Sequence, residues 1–124
     1  MSRLLVVEND EDMRLSFTMM FEKEGHEVCG VRCAEMALDA FRSQQFDLVI
    51  TNLLLPGIDG AELCRLIRTG KKFAQIPVVL VSCIKERMGM EITASDSHWA
   101  PFTCVIDKTL PPTVLLDTVR ALLT

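Results

Sequence analysis

The feature that most constrains this chain is an alternation. Short apolar runs of strand length are each followed by a segment whose apolar residues recur at helical spacing. The run over residues 3–8, RLLVVE, is almost wholly apolar and closes on a polar cluster over residues 8–12, the pattern of a strand buried on both faces. Residues 10–24 then carry Met13, Phe17, Met20 and Phe21 at i, i+4, i+7 and i+8, with Gly25 as the stop, which predicts an amphipathic helix. HEVCGVRC over residues 26–33 reads as a second strand, and AEMALDAFRSQ after it places Ala34, Ala37, Leu38 and Phe41 on one helical face. DLVIT, residues 47–51, precedes GAELCRLIRTG, in which Leu63, Leu66 and Ile67 are expected inward and Gly70 ends the helix.

PVVLVS, residues 77–82, makes a fourth strand with Pro77 at its first position, where a missing N–H is tolerated. CVID, residues 104–107, and PPTVLLDTVRALL, residues 111–123, form the fifth pair. Its prolines mark a helix start, and Leu115, Val119 and Leu122 share a face. Between residues 84 and 102 the pattern weakens. Ile84, Met88 and Ile92 can line a short helix, while Gly89, Thr93 and ASDSHWAP predict a long loop after it.

Five strands alternating with helices predict an α/β fold: a parallel sheet with helices on both faces, because each parallel crossover needs its own right-handed connection. A length of 124 residues predicts one domain over residues 1–124. With 49% hydrophobic and 24% charged residues, the composition is that of a packed domain and excludes a disordered tail. No apolar run approaches the roughly 20 residues that span a bilayer, and acidic residues stand where a leader would need its cleavage site. A cytoplasmic chain with no membrane segment is expected.

The five cysteines, Cys29, Cys33, Cys64, Cys83 and Cys104, are odd in number and never form Cys-x-x-Cys, so buried thiols are expected in place of a disulfide framework or zinc site. Cys29 and Cys33 share a strand face without a nearby histidine, and His26 and His98 stand alone. Net charge is -4, and the densest basic spot, Arg65, Arg68, Lys71 and Lys72, is too small for a nucleic-acid footprint and suits a helix C-terminus.

In folds of this class, ligands bind outside the carboxyl ends of the strands. Those ends carry Glu8, Asn9 and Asp10 after the first strand, Asn52 after the third, Ser82 after the fourth and Lys108 after the fifth. With LLVVEND, DLVITNLLLPGIDG, PVVLVS and the lysine of VIDK in this order, the chain resembles the receiver domain of bacterial two-component response regulators over essentially its whole length. The resemblance implies a flavodoxin-like, CheY-like sheet of order 2-1-3-4-5. It also implies a phosphorelay mechanism, in which two adjacent acids and a strand-end aspartate bind Mg²⁺ and the aspartate takes a phosphoryl group from a histidine kinase. Charge on the transferring group is offset by metal and lysine.

Carried over position by position, Glu8 and Asn9 match the acidic pair, Asn52 the phosphoacceptor, Ser82 the switch hydroxyl and Lys108 the lysine; Val105 falls at the switch-aromatic position. Thr109 follows the lysine where the family usually has proline. An amide oxygen is a poor nucleophile, so Asn52 is not expected to be phosphorylated. Mg²⁺ prefers carboxylates and waters, and only Glu8 remains of three acidic positions. Glu8 and Lys108 balance in charge without a metal, which predicts Lys108 close to Glu8 or to the Asn52 carbonyl. No cofactor is expected; a cation would find only Glu8, Asp10 and the backbone of Leu54.

Quieter readings stand beside these. Asp10 and Asp12 suit the start of the first helix, Asp59 suits an N-cap of the third, Asn52 can bond its own turn, and Ser82 can satisfy backbone groups. Met13, Met19, Met20, Met88 and Met90 read as core or helix surface, and Trp99 as a contact residue or a cover for the sheet edge. Three functions follow. The first is a pseudo-receiver, not an enzyme, that binds protein without aspartyl phosphorylation through the family's surface of fourth helix, fifth strand and fifth helix. Its partners would be a histidine kinase, an output domain or a second copy, with no direct nucleic acid. The second is a receiver phosphorylated on Asp10 or Asp59. The third, a flavodoxin-like nucleotide or flavin binder, lacks a Gly-rich phosphate loop after the first strand.

Overall fold

In the structure, a computed structural model, the described residues are 2–70, 75–83 and 102–124. The expected helix over residues 84–92, the loop after it, Met88, Met90, His98, Trp99, Lys71 and Lys72 lie outside them. Five strands, β1 (Arg3–Val7), β2 (Glu27–Val31), β3 (Leu48–Asn52), β4 (Val78–Ser82) and β5 (Cys104–Asp107), form one sheet of order β2-β1-β3-β4-β5, every neighbouring pair parallel. Among the described residues there are four helices, α1 (Glu11–Lys23), α2 (Ala34–Ser43), α3 (Gly60–Thr69) and α4 (Pro112–Leu123). The last is the helix expected after the fifth strand.

Period-two alternation along each strand divides the core into two layers. Leu4 and Val6 of β1, Leu48 and Ile50 of β3, and Val79 and Val81 of β4 pack with Phe21 of α1 and with Leu115 and Val119 of α4. Leu5, Val7, Val49 and Val78 pack on the other face with Ala34 and Ala37 of α2 and with Leu63, Cys64 and Ile67 of α3. β3 and β4 are buried along their whole length, as their unbroken apolar runs require, whereas β2, at an edge, exposes Glu27 and Gly30. Phe41 meets Phe46 edge to face at 5.3 Å, which fixes α2 over the entry to β3.

The structure corrects two sequence expectations. Leu66 is exposed, at 36%, and the inward stripe of α3 is Leu63, Cys64 and Ile67. Cys29 and Cys33 do not share a strand face, because β2 ends at Val31 and Cys33 is the N-cap residue of α2. All five cysteines are thiols. Helix ends follow the sequence closely: Asp10 and Asp59 cap α1 and α3 through side-chain oxygens that accept from Asp12 N (3.0 Å) and Glu62 N (2.8 Å), Gly25 takes a positive φ of 93° just beyond α1, and Pro112 opens α4.

Candidate functional site

The same alternation that sorts the core places the polar residues. Leu4-Val6-Glu8 and Leu48-Ile50-Asn52 are successive same-face positions, and the β1–β3 register pairs Val7 with Thr51, so the next step along both strands sets Glu8 beside Asn52. Lys108 lies two residues beyond Ile106 on β5 and belongs to the same face. At the carboxyl ends of β1, β3 and β5 these three side chains meet. Glu8 is 2% and Asn52 5% exposed, while the Lys108 side chain is 20% exposed.

Asn52 is hydrogen-bonded through both ends of its carboxamide. Oδ1 accepts from Leu53 N at 3.0 Å, and Nδ2 donates to Leu54 O at 2.9 Å, to Asn9 Oδ1 at 3.2 Å and, most weakly, to Glu8 Oε1 at 3.4 Å. The backbone therefore fixes which end of the amide faces which way, since reversing it would set an NH₂ group against Leu53 N–H. Turning the Asn9 amide over would aim its NH₂ at Leu54 O and Glu8 Oε1, both at 3.3 Å, but would bring two NH₂ groups within 3.2 Å of each other.

Among the described residues, Glu8 is the one buried carboxylate of the mouth. Its Oε1 also accepts from Asp10 N at 3.2 Å. Its Oε2 has no hydrogen-bond partner among the described residues but lies 3.5 Å from Lys108 Nζ, a charge contact rather than a well-formed hydrogen bond. Arg14, which the sequence did not single out, donates from Nη1 to Glu8 O at 2.8 Å and holds the end of β1 from the side of α1. Lys108 is held in turn by its backbone: Lys108 N donates to Ser82 O at 2.9 Å, and Thr109 N and Oγ1 both donate to Asp107 Oδ1, at 2.9 and 2.8 Å. That turn uses a backbone N–H that a proline at position 109 would lack.

Ser82 is fully buried at the end of β4, with no partner for its Oγ among the described residues. Val105 packs on the opposite face of the sheet with Leu53, Ala61, Leu80 and Phe102, an aliphatic side chain with no polar atom to follow a hydroxyl. Gly60 closes the loop after β3. Its N–H donates to Leu53 O at 2.7 Å, and a Cβ there would stand 2.2 Å from Asn52 O.

Mg²⁺, which this kind of site implies, needs an octahedral shell of oxygen ligands. The donor set does not fit it. Leu54 O and Glu8 Oε1 already accept N–H groups, an amide stands in place of the second carboxylate, and Asp10 turns its carboxylate to the start of α1. Among the described residues no three His, Cys, Asp or Glu side chains gather as a metal site.

Comparison with known proteins identifies the family and the fold. The family model of the response regulator receiver domain matches residues 4–120. Over 100 residues the chain is 34% identical to the transcriptional regulatory protein AfsQ1 of Streptomyces coelicolor, a match that covers 77% of this chain and 43% of that protein. Over 104 residues it is 30% identical to the DNA-binding response regulator MtrA of Mycolicibacterium smegmatis, covering 81% of this chain and 44% of that protein. The chain thus spans less than half the length of these relatives. The response regulator TrrA of Thermotoga maritima, solved in complex with Mg²⁺-BeF, superposes with a TM-score of 0.82 at 27% identity over 98% of this chain and 99% of that one. The receiver domain of a histidine kinase from Syntrophus aciditrophicus reaches 0.88 at 24% identity, over 99% and 90%, and bears on the fold alone. With the flavodoxin-like sheet, the strand-end residues and the family match together, the chain belongs to the response regulator receiver domains of two-component systems.

Proposed function

We propose that this chain is an atypical receiver, a pseudo-receiver that works by protein binding and does not take a phosphoryl group. One observation carries the reading: the residue at the phosphoacceptor position, at the end of β3, is Asn52, nearly buried and hydrogen-bonded through both ends of its carboxamide. Phosphoryl transfer to a receiver needs an anionic oxygen to attack phosphorus, and the neutral amide oxygen, which already accepts from Leu53 N, carries no such charge and is a poor nucleophile. Asp10 and Asp59, the substitutes that a phosphorylated receiver would need, spend their carboxylates on helix N-termini. The chain has no catalytic activity of its own in this reading and acts in the cytoplasm.

Its partner is a protein. The structure of the Thermotoga maritima histidine kinase ThkA in complex with TrrA includes a receiver 27% identical to this chain, which supports a histidine kinase as one class of partner. The length of the curated relatives supports an output domain as another. The surface proposed is that of β5, α4 and the segment between β4 and β5, for either of these partners or for a second copy; direct binding of nucleic acid is assigned to other domains. Incubation with acetyl phosphate and Mg²⁺ followed by intact-mass measurement tests the reading. No added phosphoryl group is expected, and a stoichiometric gain of one overturns it. Pull-downs with and without acetyl phosphate should then recover the same partner equally.

A further inference from the structure

We infer that the Asn52 carboxamide is a built-in replacement for a divalent cation at the mouth of this sheet. Two oxygens from two segments of chain, Glu8 Oε1 after β1 and Leu54 O after β3, converge on one point beside the Asn9 carboxamide, and the atom found there is Asn52 Nδ2, at 3.4 and 2.9 Å from them. Convergent oxygens are what a hard cation requires; here the positive end of an amide dipole takes that place. The amide cannot yield the position by turning over, because Leu53 N donates to its Oδ1 at 3.0 Å. The second oxygen of Glu8 faces Lys108 Nζ at 3.5 Å, so both oxygens of this buried carboxylate already face positive groups. A cation entering this mouth would displace N–H donors from Leu54 O and Glu8 and would add two charges to a pair that is already neutral.

The consequence for the chain's own stability is specific. Asn52→Asp removes the donor to Leu54 O and puts a carboxylate oxygen against Leu54 O and Glu8 Oε1, so three oxygens then face one another with nothing positive between them. That variant should recover through a divalent cation, by the mass-action stabilisation of a folded state that binds and an unfolded state that does not. The native chain should not respond.

Thermal unfolding of the native chain and of Asn52→Asp in EDTA and in millimolar MgCl₂ reads this directly. The native midpoint is expected to be the same in both buffers; that of Asn52→Asp is expected to lie below it in EDTA and to rise by several degrees with Mg²⁺. A native midpoint that rises with Mg²⁺, or an Asn52→Asp chain as stable as the native one in EDTA, overturns the inference. A second measurement uses the native chain alone: Mn²⁺ titration followed in a ¹H–¹⁵N spectrum, where selective broadening of the Leu53, Leu54 and Asn52 side-chain signals would overturn it and its absence supports it. Should the variant not fold in either buffer, the Mn²⁺ titration decides. The inference rests on the same site as the proposed function, but cation binding and phosphoryl transfer are read separately. A native chain that binds Mn²⁺ and still gains no mass from acetyl phosphate sinks the first and leaves the second standing.

Discussion

Gly60 stands so close to Asn52 that a Cβ on it would lie 2.2 Å from the Asn52 carbonyl oxygen. The contact is backbone against backbone and cannot be relieved by a rotamer change. Gly60→Ala should therefore force the loop after β3 away from the strand end and break the 2.7 Å bond from Gly60 N to Leu53 O. A loss of at least about 1–3 kcal/mol is expected, the usual cost of overpacking, measured as a shift in the urea midpoint. A variant within error of the native chain would mean that the loop is not held this way.

Lys108 and Glu8 are predicted to be coupled. Lys108→Met leaves the Glu8 carboxylate buried without its cation, and a cost on the order of 2 kcal/mol is expected after allowing for the partial exposure of the lysine. Glu8→Gln with Lys108→Met should cost less than the sum of the two single changes. A double-mutant cycle by chemical denaturation checks it, and additive energies would refute the contact.

Cys64 gives a pH prediction. Burial pushes its thiol up to about 11, against a weaker lowering by the Arg68 and Arg65 guanidinium groups. Because the native state holds the proton more tightly than the unfolded chain, the associated stability is complete below about pH 9 and is lost as pH rises toward 11. Unfolding midpoints should fall over that window, and Cys64→Ala, compared with its own value at pH 7, should show a shallower fall. The same burial makes Cys64 slow toward thiol reagents at pH 8, and burial also raises the Cys104 thiol.

The face of α3 is tested by two neighbours. Ile67→Ala opens a cavity among Leu63, Cys64 and Phe46 and should cost about 2–4 kcal/mol, whereas Leu66→Gln should change stability by no more than about 0.5 kcal/mol, as exposed substitutions do. Equal losses at the two positions would restore the inward Leu66 that the sequence pattern alone suggested.

The fold was legible because β3 and β4 are buried on both faces, so their apolar runs admit no other reading, and because Asp10, Gly25 and Asp59 sit where helix ends need them. Leu66 misled because it flanks the true stripe of α3, where a leucine satisfies a helical period equally well from the edge. At the site, charge counting led to Lys108 beside Glu8. The hydrogen bonds of Asn52 were out of reach, since they depend on which way the amide faces, and Leu53 N decides that through the backbone. Arg14 was missed for a similar reason: a basic residue on the exposed side of a helix pattern gives no hint that its guanidinium reaches back to a strand-end carbonyl. The close approach of Gly60 is equally invisible, because a glycine at the first position of a helix reads as an ordinary helix start.

One edge strand of the sheet, β2, is five residues long, shows Glu27 and Gly30 to solvent, and carries the Arg3–Glu27 ion pair across to β1 at 2.7 Å. Gly30 leaves room there for the stem of Arg14, whose Cγ would lie 3.3 Å from any added Cβ. A short, charged rim of this kind discourages another polypeptide from adding itself as a sixth strand. Copies of the chain are thereby kept from zipping together along that margin, which leaves the opposite side of the sheet, at β5 and α4, as the place where a companion can dock.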